Sequence, residues 1–298
     1  MISVVIPAYN EEKIVGDVVA SFLKLFDDLS LNGSEIVVVD DGSDDDTAKV
    51  AEAAGAKVLR KIENLGYGHS LKLGIRLATN DTIVIIDADG TYPAEELPKL
   101  LEHFDAGYDL VVGARTGSFY RESWYKFPLR KILKLLVEYT TGRRITDVNS
   151  GFRIFSKKTI LPYLTSLSDV FSFTTSMTLV YMLSRKSVKY TNIPYNDRIG
   201  ATKVRLFRDS LRTLQYIAQV ILLYNPLKLF LALSFLLFAM GVVGFVSAGF
   251  GLGVGLLLGW QSMLASVIVL AIGFLADLVR QTRPSVHTDD VKPRDSIQ

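Results

Sequence analysis

The stretch Thr82-Ile83-Val84-Ile85-Ile86-Asp87-Ala88-Asp89-Gly90 contains four successive branched aliphatic residues, which end at two aspartates one residue apart. A continuous apolar run of this length is typical of a parallel strand that is covered on both faces. Residues 36–39 repeat the pattern and end at Asp40-Asp41. The sequence therefore predicts a sheet whose buried strands run towards a common acidic edge.

The rest of the first hundred residues fits this sheet. Strand-like segments occur at 2–6, 35–39, 57–59, 82–86 and 109–112, and helical patterns occupy 11–30, 46–54, 67–79 and 93–106. Alternation of this kind predicts an α/β fold, a mostly parallel sheet with helices on both faces. Ligands of such sheets bind beyond the carboxyl ends of the strands. Polar residues collect after those ends, namely Tyr9-Asn10-Glu11, Asp40-Asp41, Asp87-Ala88-Asp89 and Arg115.

The Asp87-Ala88-Asp89 corner is the strongest candidate for chemistry. Two carboxylates one residue apart can reach one hard divalent cation, Mg²⁺ or Mn²⁺, and diphosphate oxygens and waters complete its coordination. The competing interpretation is an ordinary turn, because Asp and Gly also favour turns. The acidic Asp40-Asp41 corner and Glu11 at the ends of two other strands make the metal site the preferred prediction.

A second part of the chain indicates a membrane. No charged residue or histidine occurs between Lys228 and Asp277, which is enough for two crossings of about 20 residues each. A glycine-rich turn at 249–255 separates the two predicted spans. The flanks carry Lys228, Arg280 and Arg283, whereas the turn has no positive charge. The positive-inside rule therefore predicts that the catalytic domain faces the cytoplasm.

The net charge of +2 hides an uneven distribution of basic residues. They cluster between 115 and 144 and again between 198 and 228, which favours an anionic lipid or a phosphorylated lipid over a simple solvated face. Two amphipathic segments, 128–141 and 205–224, are interpreted as lying at the membrane interface or packing on the core, with the interface preferred for the second. There is no cysteine, and His69, His103 and His287 form no zinc pattern. No nucleic-acid partner is expected.

Several motifs together resemble one known family. Pro7-Ala8-Tyr9-Asn10-Glu11-Glu12, Val39-Asp40-Asp41-Gly42-Ser43, Asp87-Ala88-Asp89-Gly90 and Gly113-Ala114-Arg115 follow the order of inverting GT-A glycosyltransferases of family 2. The set is most similar to the polyprenyl-phosphate (dolichyl-phosphate) hexose synthase branch. Asp147-Val148-Asn149-Ser150-Gly151-Phe152-Arg153 resembles the acceptor-side motif of that branch, and Arg198-Ile199-Gly200-Ala201-Thr202-Lys203 resembles its R-x-G-x-S-K element.

The resemblance implies roles for individual residues. Nucleotide-sugar binding falls to Pro7, Tyr9, Glu11, Asp40, Asp41, Asp87, Ala88 and Asp89. Asp87 and Asp89 hold Mg²⁺ or Mn²⁺, and Asp89, Asp147 and Arg115 are the catalytic candidates. The acceptor phosphate is assigned to Arg115, Arg130, Arg153, Arg198 and Lys203. Asp147 either positions or deprotonates the acceptor, or only caps a turn. Thr91 stands where mannose synthases of the branch commonly have Gln, which slightly favours UDP-glucose over GDP-mannose.

The implied reaction moves a hexose from a nucleotide-sugar to dolichyl or polyprenyl phosphate, giving a lipid-linked donor for glycosylation. The first alternative is a transferase that extends a polysaccharide or a lipid-linked oligosaccharide at a hydroxyl, and the second is a non-catalytic nucleotide-sugar-binding adaptor. A dehydrogenase or nucleotidyltransferase is excluded because no glycine-rich phosphate loop follows the first strand.

The predicted domains are a nucleotide-sugar-binding half (1–115), an acceptor half with membrane-apposed helices (116–226), a transmembrane hairpin (227–279) and a disordered cytoplasmic tail (280–298). Gly251, Gly255 and Gly259 recur at every fourth position and raise the option of a homo-oligomer.

Overall fold

The computed structural model describes residues 1–117, 138–197, 215, 217–250 and 253–282. The strands are β1 (Ile2–Ala8), β2 (Glu35–Asp40), β3 (Lys57–Arg60), β4 (Thr82–Ile85), β5 (Leu110–Thr116), β6 (Arg153–Ser156) and β7 (Val188–Pro194). The α-helices are α1 (Val15–Asp28), α2 (Thr47–Ala53), α3 (Tyr67–Leu77), α4 (Leu97–Asp105), α5 (Lys157–Ile160), α6 (Phe173–Leu183), α7 (Pro226–Gly249) and α8 (Gly253–Gln281). Two 3₁₀ turns, Ala94–Glu96 and Leu161–Ser166, adjoin α4 and α5.

The described strands form one sheet in the order β3-β2-β1-β4-β6-β5-β7. β6 runs antiparallel to both of its neighbours, and all the other pairs are parallel. The predicted mostly parallel sheet is confirmed, and each of the five predicted strands exists. β6, α6 and β7 were not predicted as elements. β6 is only four residues long, so its apolar pattern is too short to separate a strand from a buried loop.

Alternate residues of the same strands supply two apolar cores, one on each face. Val4, Ile6, Val38 and Val84 pack with α1 and α4. On the other face, Val5, Ile83, Ile85, Leu110 and Val112 pack with α3 and α6. Because side chains alternate along a strand, a continuous aliphatic run such as 83–86 serves both cores at once. The helices on both faces are therefore confirmed.

The two C-terminal helices form the predicted hairpin. α7 has a mean hydropathy of 2.6 over its most apolar window, and α8 has one of 2.3, so both are long and apolar enough to cross a membrane. Large apolar side chains cover their outer surface, for example Phe235 at 73 % exposure and Leu257 at 60 %. Surfaces of this kind fit a lipid environment and not water.

Small residues form the contact between the two apolar helices α7 and α8. Ser234 and Ser266 exchange hydrogen bonds at 3.0 Å, each hydroxyl donating to the other's carbonyl. A Cβ placed on Gly244 would lie 2.7 Å from the backbone nitrogen of Gly259, so this close approach requires glycine. Gly255 faces α7 in the same way, whereas Gly251 lies outside the described residues. Gly244, Gly255 and Gly259 are therefore used in the contact within one chain, and the homo-oligomer stays a prediction.

Only a part of each predicted amphipathic segment lies within the described residues. Most of 128–141 and of 205–224 lies outside the described residues, as does the tail from 283 onward. At the described end of the second segment, Ile217, Val220 and Ile221 are buried in the same core as α3 and α6. This end therefore packs on the protein core through its apolar face. Contact of the rest of the segment with the membrane interface stays a prediction.

Glu35 stabilises the edge of the sheet that is remote from the acidic residues. Its buried carboxylate accepts hydrogen bonds from Lys57 Nζ at 2.5 Å and from the hydroxyls of Ser3 and Thr79 at 2.6 Å. Burial alone would raise the pKa of Glu35, but these hydrogen bonds outweigh it and lower the pKa from 4.5 to about 2. A depressed pKa means that this stabilisation is present above pH 4.5 and is lost as the pH falls towards 2.

Glu35→Gln is therefore expected to lower the free energy of unfolding by about 2 kcal/mol at pH 7. The difference from the unchanged chain should shrink between pH 4.5 and pH 2. Thermal unfolding followed by circular dichroism at several pH values measures both effects. The exposed Glu102→Gln is the control and should show neither; equal stability of the two variants at pH 7 would contradict the account.

Candidate active site

The site lies where the order of the strands reverses. Along the chain, the sheet grows outward from β1 to β3 on one side and continues through β4 on the other, so β1 and β4 flank a topological switch point. The β1–β4 register ends at Val5–Ile85, and Pro7, which has no N–H to donate, pairs only with Val39 of β2. The two strand ends are therefore free to diverge. Ligands of open α/β sheets bind in the crevice at this point.

Tyr9 and Glu11 follow β1 on one side of the crevice, and Asp87 and Asp89 follow β4 on the other. Loop 147–151 reaches the same edge because β6, which it precedes, runs antiparallel to β4. The structure therefore brings residues from three separate motifs to one edge of the sheet. Ala88 is buried in the same core as residues of α1 and α4, so its contact with a nucleotide-sugar stays a prediction.

The carboxylate of Asp87 is fixed from two sides. Its Oδ1 accepts a hydrogen bond from the Tyr67 hydroxyl at 2.8 Å. On the other side, it packs against the α-carbon of Gly151, where a Cβ would lie 2.6 Å from Asp87 Cγ and still closer to both oxygens. The Gly151 N–H donates to the Tyr92 hydroxyl at 2.8 Å, which fixes the loop. Gly151 is therefore required because the carboxylate occupies the space of a side chain.

Asp89 is fixed by its own turn. Its Oδ1 accepts hydrogen bonds from the Thr91 hydroxyl at 2.6 Å and from the Thr91 N–H at 3.2 Å. Thr91 is fully buried and orients this carboxylate. This role explains why a threonine can stand where the resemblance predicts a glutamine.

The donor set suits a hard divalent cation. Within the described residues no group of three or more His, Cys, Asp or Glu side chains could hold a metal ion. The candidate ligands that the sequence predicts are the two carboxylates of Asp87 and Asp89. Mg²⁺ and Mn²⁺ favour carboxylate oxygen, and Mg²⁺ in particular is bound by one or two carboxylates plus substrate phosphates and waters. By residue type Asp87 and Asp89 fit such an ion, and that they hold it stays a prediction.

Arg115 and Asp147 form a bidentate ion pair at the same edge. Arg115 Nε donates to Asp147 Oδ2 at 2.7 Å and Nη2 donates to Oδ1 at 2.9 Å. Burial alone would raise the pKa of Asp147, but the hydrogen bonds and charge of Arg115 outweigh it and lower the pKa. The Asn149 N–H adds a further bond at 3.1 Å. Asp147 is therefore an ionised carboxylate that orients Arg115 and is a weak proton acceptor.

Arg153 lies under the loop and not in the crevice. It is fully buried; Nε donates to the Ser150 carbonyl, Nη2 to the Val148 carbonyl and Nη1 to the Thr178 hydroxyl, at 2.7–2.8 Å. Burial lowers its pKa, and the surrounding tyrosines and Asp147 act in the opposite direction. In this structure, a phosphate oxygen has no access to the guanidinium. Its visible role is to hold the carbonyls of loop 147–151.

Asp40 and Asp41 are also engaged by the protein itself. Asp41 accepts hydrogen bonds from Lys61 and from the N–H groups of Leu65 and Gly66, the latter two at 2.9 Å. Asp40 Oδ1 accepts from Ser43, and its Oδ2 lies 3.5 Å from Arg60 Nε without hydrogen-bond geometry. Both side chains are buried, so contact with a nucleoside stays a prediction.

Three predicted acceptor residues, Arg130, Arg198 and Lys203, lie outside the described residues. Conversely, no motif of the sequence predicts a role at the site for Tyr67 or Tyr92. Tyr67 follows Asn64-Leu65-Gly66, in which Gly66 has a φ of 108°. A glycine before a helix indicates a tight turn, but nothing in the sequence indicates that the next side chain reaches Asp87.

Comparison with known proteins now identifies the group. Residues 3–162 match the family model described as glycosyl transferase family 2. The chain belongs to glycosyl transferase family 2. A family 2 relative from Klebsiella pneumoniae, an undecaprenyl-phosphate 4-deoxy-4-formamido-L-arabinose transferase, is 30% identical over 266 residues, which cover 86% of this chain and 75% of the relative.

Other relatives of the same name match a shorter part. The protein from Edwardsiella ictaluri is 32% identical over 165 residues, 53% of this chain and 50% of that relative, so this match spans half of the relative's length. These relatives are polyprenyl-phosphate sugar transferases, as the resemblance implied.

Solved structures confirm the GT-A fold. Glucosyl-3-phosphoglycerate synthase from Mycobacterium tuberculosis, in complex with Mn²⁺, UDP-glucose and phosphoglyceric acid, has a TM-score of 0.59 to this family 2 chain. It is 23% identical, and the match covers 74% of this chain and 79% of the synthase. At this identity the likeness concerns the fold alone.

Proposed function

We propose that this protein transfers a sugar from a nucleotide-sugar to a polyprenyl phosphate at the membrane surface, with inversion at the anomeric carbon. The observation that carries the proposal is the Asp87–Asp89 pair at the carboxyl end of β4, beside the switch point. The named activity of the relatives and the attached apolar hairpin support the same conclusion.

The reaction is one in-line displacement. An oxygen of the lipid phosphate attacks the anomeric carbon, and the bond from that carbon to the nucleoside diphosphate breaks with its electron pair. Asp87 and Asp89 would hold a divalent ion, which would offset charge on the departing diphosphate. The chain itself supplies Arg115, held by Asp147, as a fixed cation at the same edge of the sheet. A preorganised cation of this kind offsets the repulsion between two anionic substrates.

A phosphate acceptor suits this site better than a hydroxyl acceptor. A sugar hydroxyl needs a general base, and Asp147 is a poor one because Arg115 and Asn149 lower its pKa. A phosphate monoester with a second pKa near 6 is already a nucleophilic dianion at neutral pH. Polysaccharide extension is therefore the weaker of the two candidates.

Asp147→Asn separates these two readings. The variant should lower turnover about 10- to 100-fold, because Arg115 loses an anionic bidentate partner. The acidic limb of the pH–rate profile should remain near pH 6, where the acceptor phosphate titrates. Initial rates between pH 5 and pH 9 measure this. Disappearance of the acidic limb in the variant would instead identify Asp147 as the general base.

The donor is tested directly. We propose a UDP-sugar, with UDP-glucose first, GDP-mannose second, and the formamido-arabinose sugar that the relatives' name indicates as a further candidate. Membranes that contain the protein are incubated with each radiolabelled donor and then extracted with organic solvent. Label in the lipid phase that is abolished by EDTA and restored by Mn²⁺ or Mg²⁺ supports the proposal. Transfer of label that is insensitive to EDTA would contradict the metal dependence of the proposed reaction.

The proposed topology places both ends of the hairpin, and with them the catalytic domain, in the cytoplasm. Because the chain has no cysteine, single cysteines report on each side cleanly. In intact cells a membrane-impermeant maleimide should label Phe250→Cys in the turn and should label Thr282→Cys only after permeabilisation. The reverse pattern would contradict the positive-inside assignment.

A further inference from the structure

Tyr67 lies outside the turn that carries Asp87 and Asp89, yet its side chain reaches the first of these carboxylates. Its hydroxyl lies 2.8 Å from Asp87 Oδ1 and donates to it. It comes from the first turn of α3, on a different strand–helix unit from β4. The contact therefore joins two parts of the sheet's edge that are distant along the chain.

The ring of Tyr67 is held from outside the crevice. It stacks on Phe171, with ring centroids 5.7 Å apart and planes inclined by 18°. The turn that carries it packs closely on loop 168–171: a Cβ on Gly66 would lie 2.6 Å from the Asp169 carbonyl oxygen, and the His69 N–H donates to that carbonyl at 2.9 Å. Lys72 adds an ion pair with Asp169 at 2.8 Å.

Asp87 is thus confined on both sides, by the Tyr67 hydroxyl and by the α-carbon of Gly151. The stacked ring and the packed loop leave the hydroxyl little freedom to move away. Hydrogen-bonded partners of ligating carboxylates commonly set the orientation of the ligand, and their loss typically costs 10- to 100-fold in metal affinity.

We propose that Tyr67 is a positioning residue: its hydroxyl orients Asp87 for the divalent ion, and loop 168–171 keeps the ring in place. This inference rests on the proposed metal site. It assigns a function in the reaction to a part of the chain, 168–171, that lies outside every motif of the sequence. The hydroxyl does not contact substrate in this account, and it acts through Asp87 alone.

The test measures metal binding separately from turnover. The full chain in detergent is titrated with Mn²⁺ in the presence of UDP, and free Mn²⁺ is followed by electron paramagnetic resonance. Tyr67→Phe keeps the stacked ring and removes only the hydroxyl, and it should weaken Mn²⁺ binding about tenfold. Tyr181→Phe is the matched control, because Tyr181 is fully buried and its hydroxyl has no hydrogen-bond partner among the described residues. This variant should bind Mn²⁺ like the unchanged chain.

A second variant tests the stacking contact separately from the hydroxyl. Phe171→Leu keeps the hydroxyl but removes the ring on which it is stacked, and it should weaken Mn²⁺ binding about threefold, by less than the loss of the hydroxyl. Equal Mn²⁺ affinity of the unchanged chain and of both variants would overturn the role of Tyr67 and leave the proposed function intact. No Mn²⁺ binding to the unchanged chain, with or without UDP, would overturn the metal site as well.

Discussion

Asp89→Ala should lower turnover by at least about 10³-fold while the protein remains folded. The variant removes one of the two carboxylates at the switch point, and the diphosphate then departs without the charge compensation of a seated divalent ion. A bound metal ion contributes several kcal/mol to such a transition state, and about 4 kcal/mol corresponds to 10³ in rate. Initial rates of label transfer to the lipid phase, at saturating donor and Mn²⁺, measure the loss.

The control for this variant is Asp105→Ala, which removes an exposed carboxylate at the end of α4. It should retain full turnover. Circular dichroism establishes that both variants are folded. Turnover of Asp89→Ala within tenfold of the unchanged chain would show that the Asp87–Asp89 pair does not hold a catalytic ion.

Gly151→Ala should lower turnover by at least about 100-fold, although it adds only a methyl group. The new Cβ would lie 2.6 Å from Asp87 Cγ, so the carboxylate or the loop has to move. The loop is held by Tyr92 and by Arg153, whose guanidinium donates to two of its carbonyls. The Asp87 side chain is therefore the part that gives way, and displacements of about 1 Å in an active site can cost 10²-fold in rate.

Gly249→Ala is the matched control, because a Cβ at Gly249 meets no atom within 4 Å in the part of the chain that the structure describes. It should leave turnover unchanged. The Mn²⁺ concentration that gives half-maximal rate should rise for Gly151→Ala and not for the control. A Gly151→Ala protein with normal rate and normal Mn²⁺ dependence would mean that Asp87 does not need its observed position.

Much of the sheet can be predicted from the sequence, because two aliphatic runs that end in aspartates each mark a buried strand and its end within a few residues. The Asp87–Asp89 pair is visible for the same reason: its two members lie in one turn after one strand. The hairpin can be predicted because a charge-free run of this length is typical of membrane-spanning helices.

The hydrogen-bond and ion-pair partners of the site residues cannot be predicted from the sequence, because they depend on how segments distant along the chain pack together. Arg115 and Asp147 were both predicted, but their mutual ion pair follows from β6 entering the sheet antiparallel between β4 and β5. Arg153 was assigned to phosphate from its motif, and the pairing of β6 places it opposite both Ile85 and Val112, under the loop. Tyr67 has no sequence signal, since its role depends on the packing of α3 against loop 168–171.

The most direct measurement supplies the protein with radiolabelled UDP-glucose, or with whichever donor the panel selects, and with two lipids of equal chain length: a polyprenyl phosphate and the corresponding polyprenol. Mn²⁺ is present, and the lipid products are separated by chromatography. The account predicts label on the phosphate-bearing lipid and none on the alcohol, with no product from the Asp89→Ala protein. Label on the polyprenol, or on the polyprenyl phosphate with undiminished yield from Asp89→Ala, would contradict it.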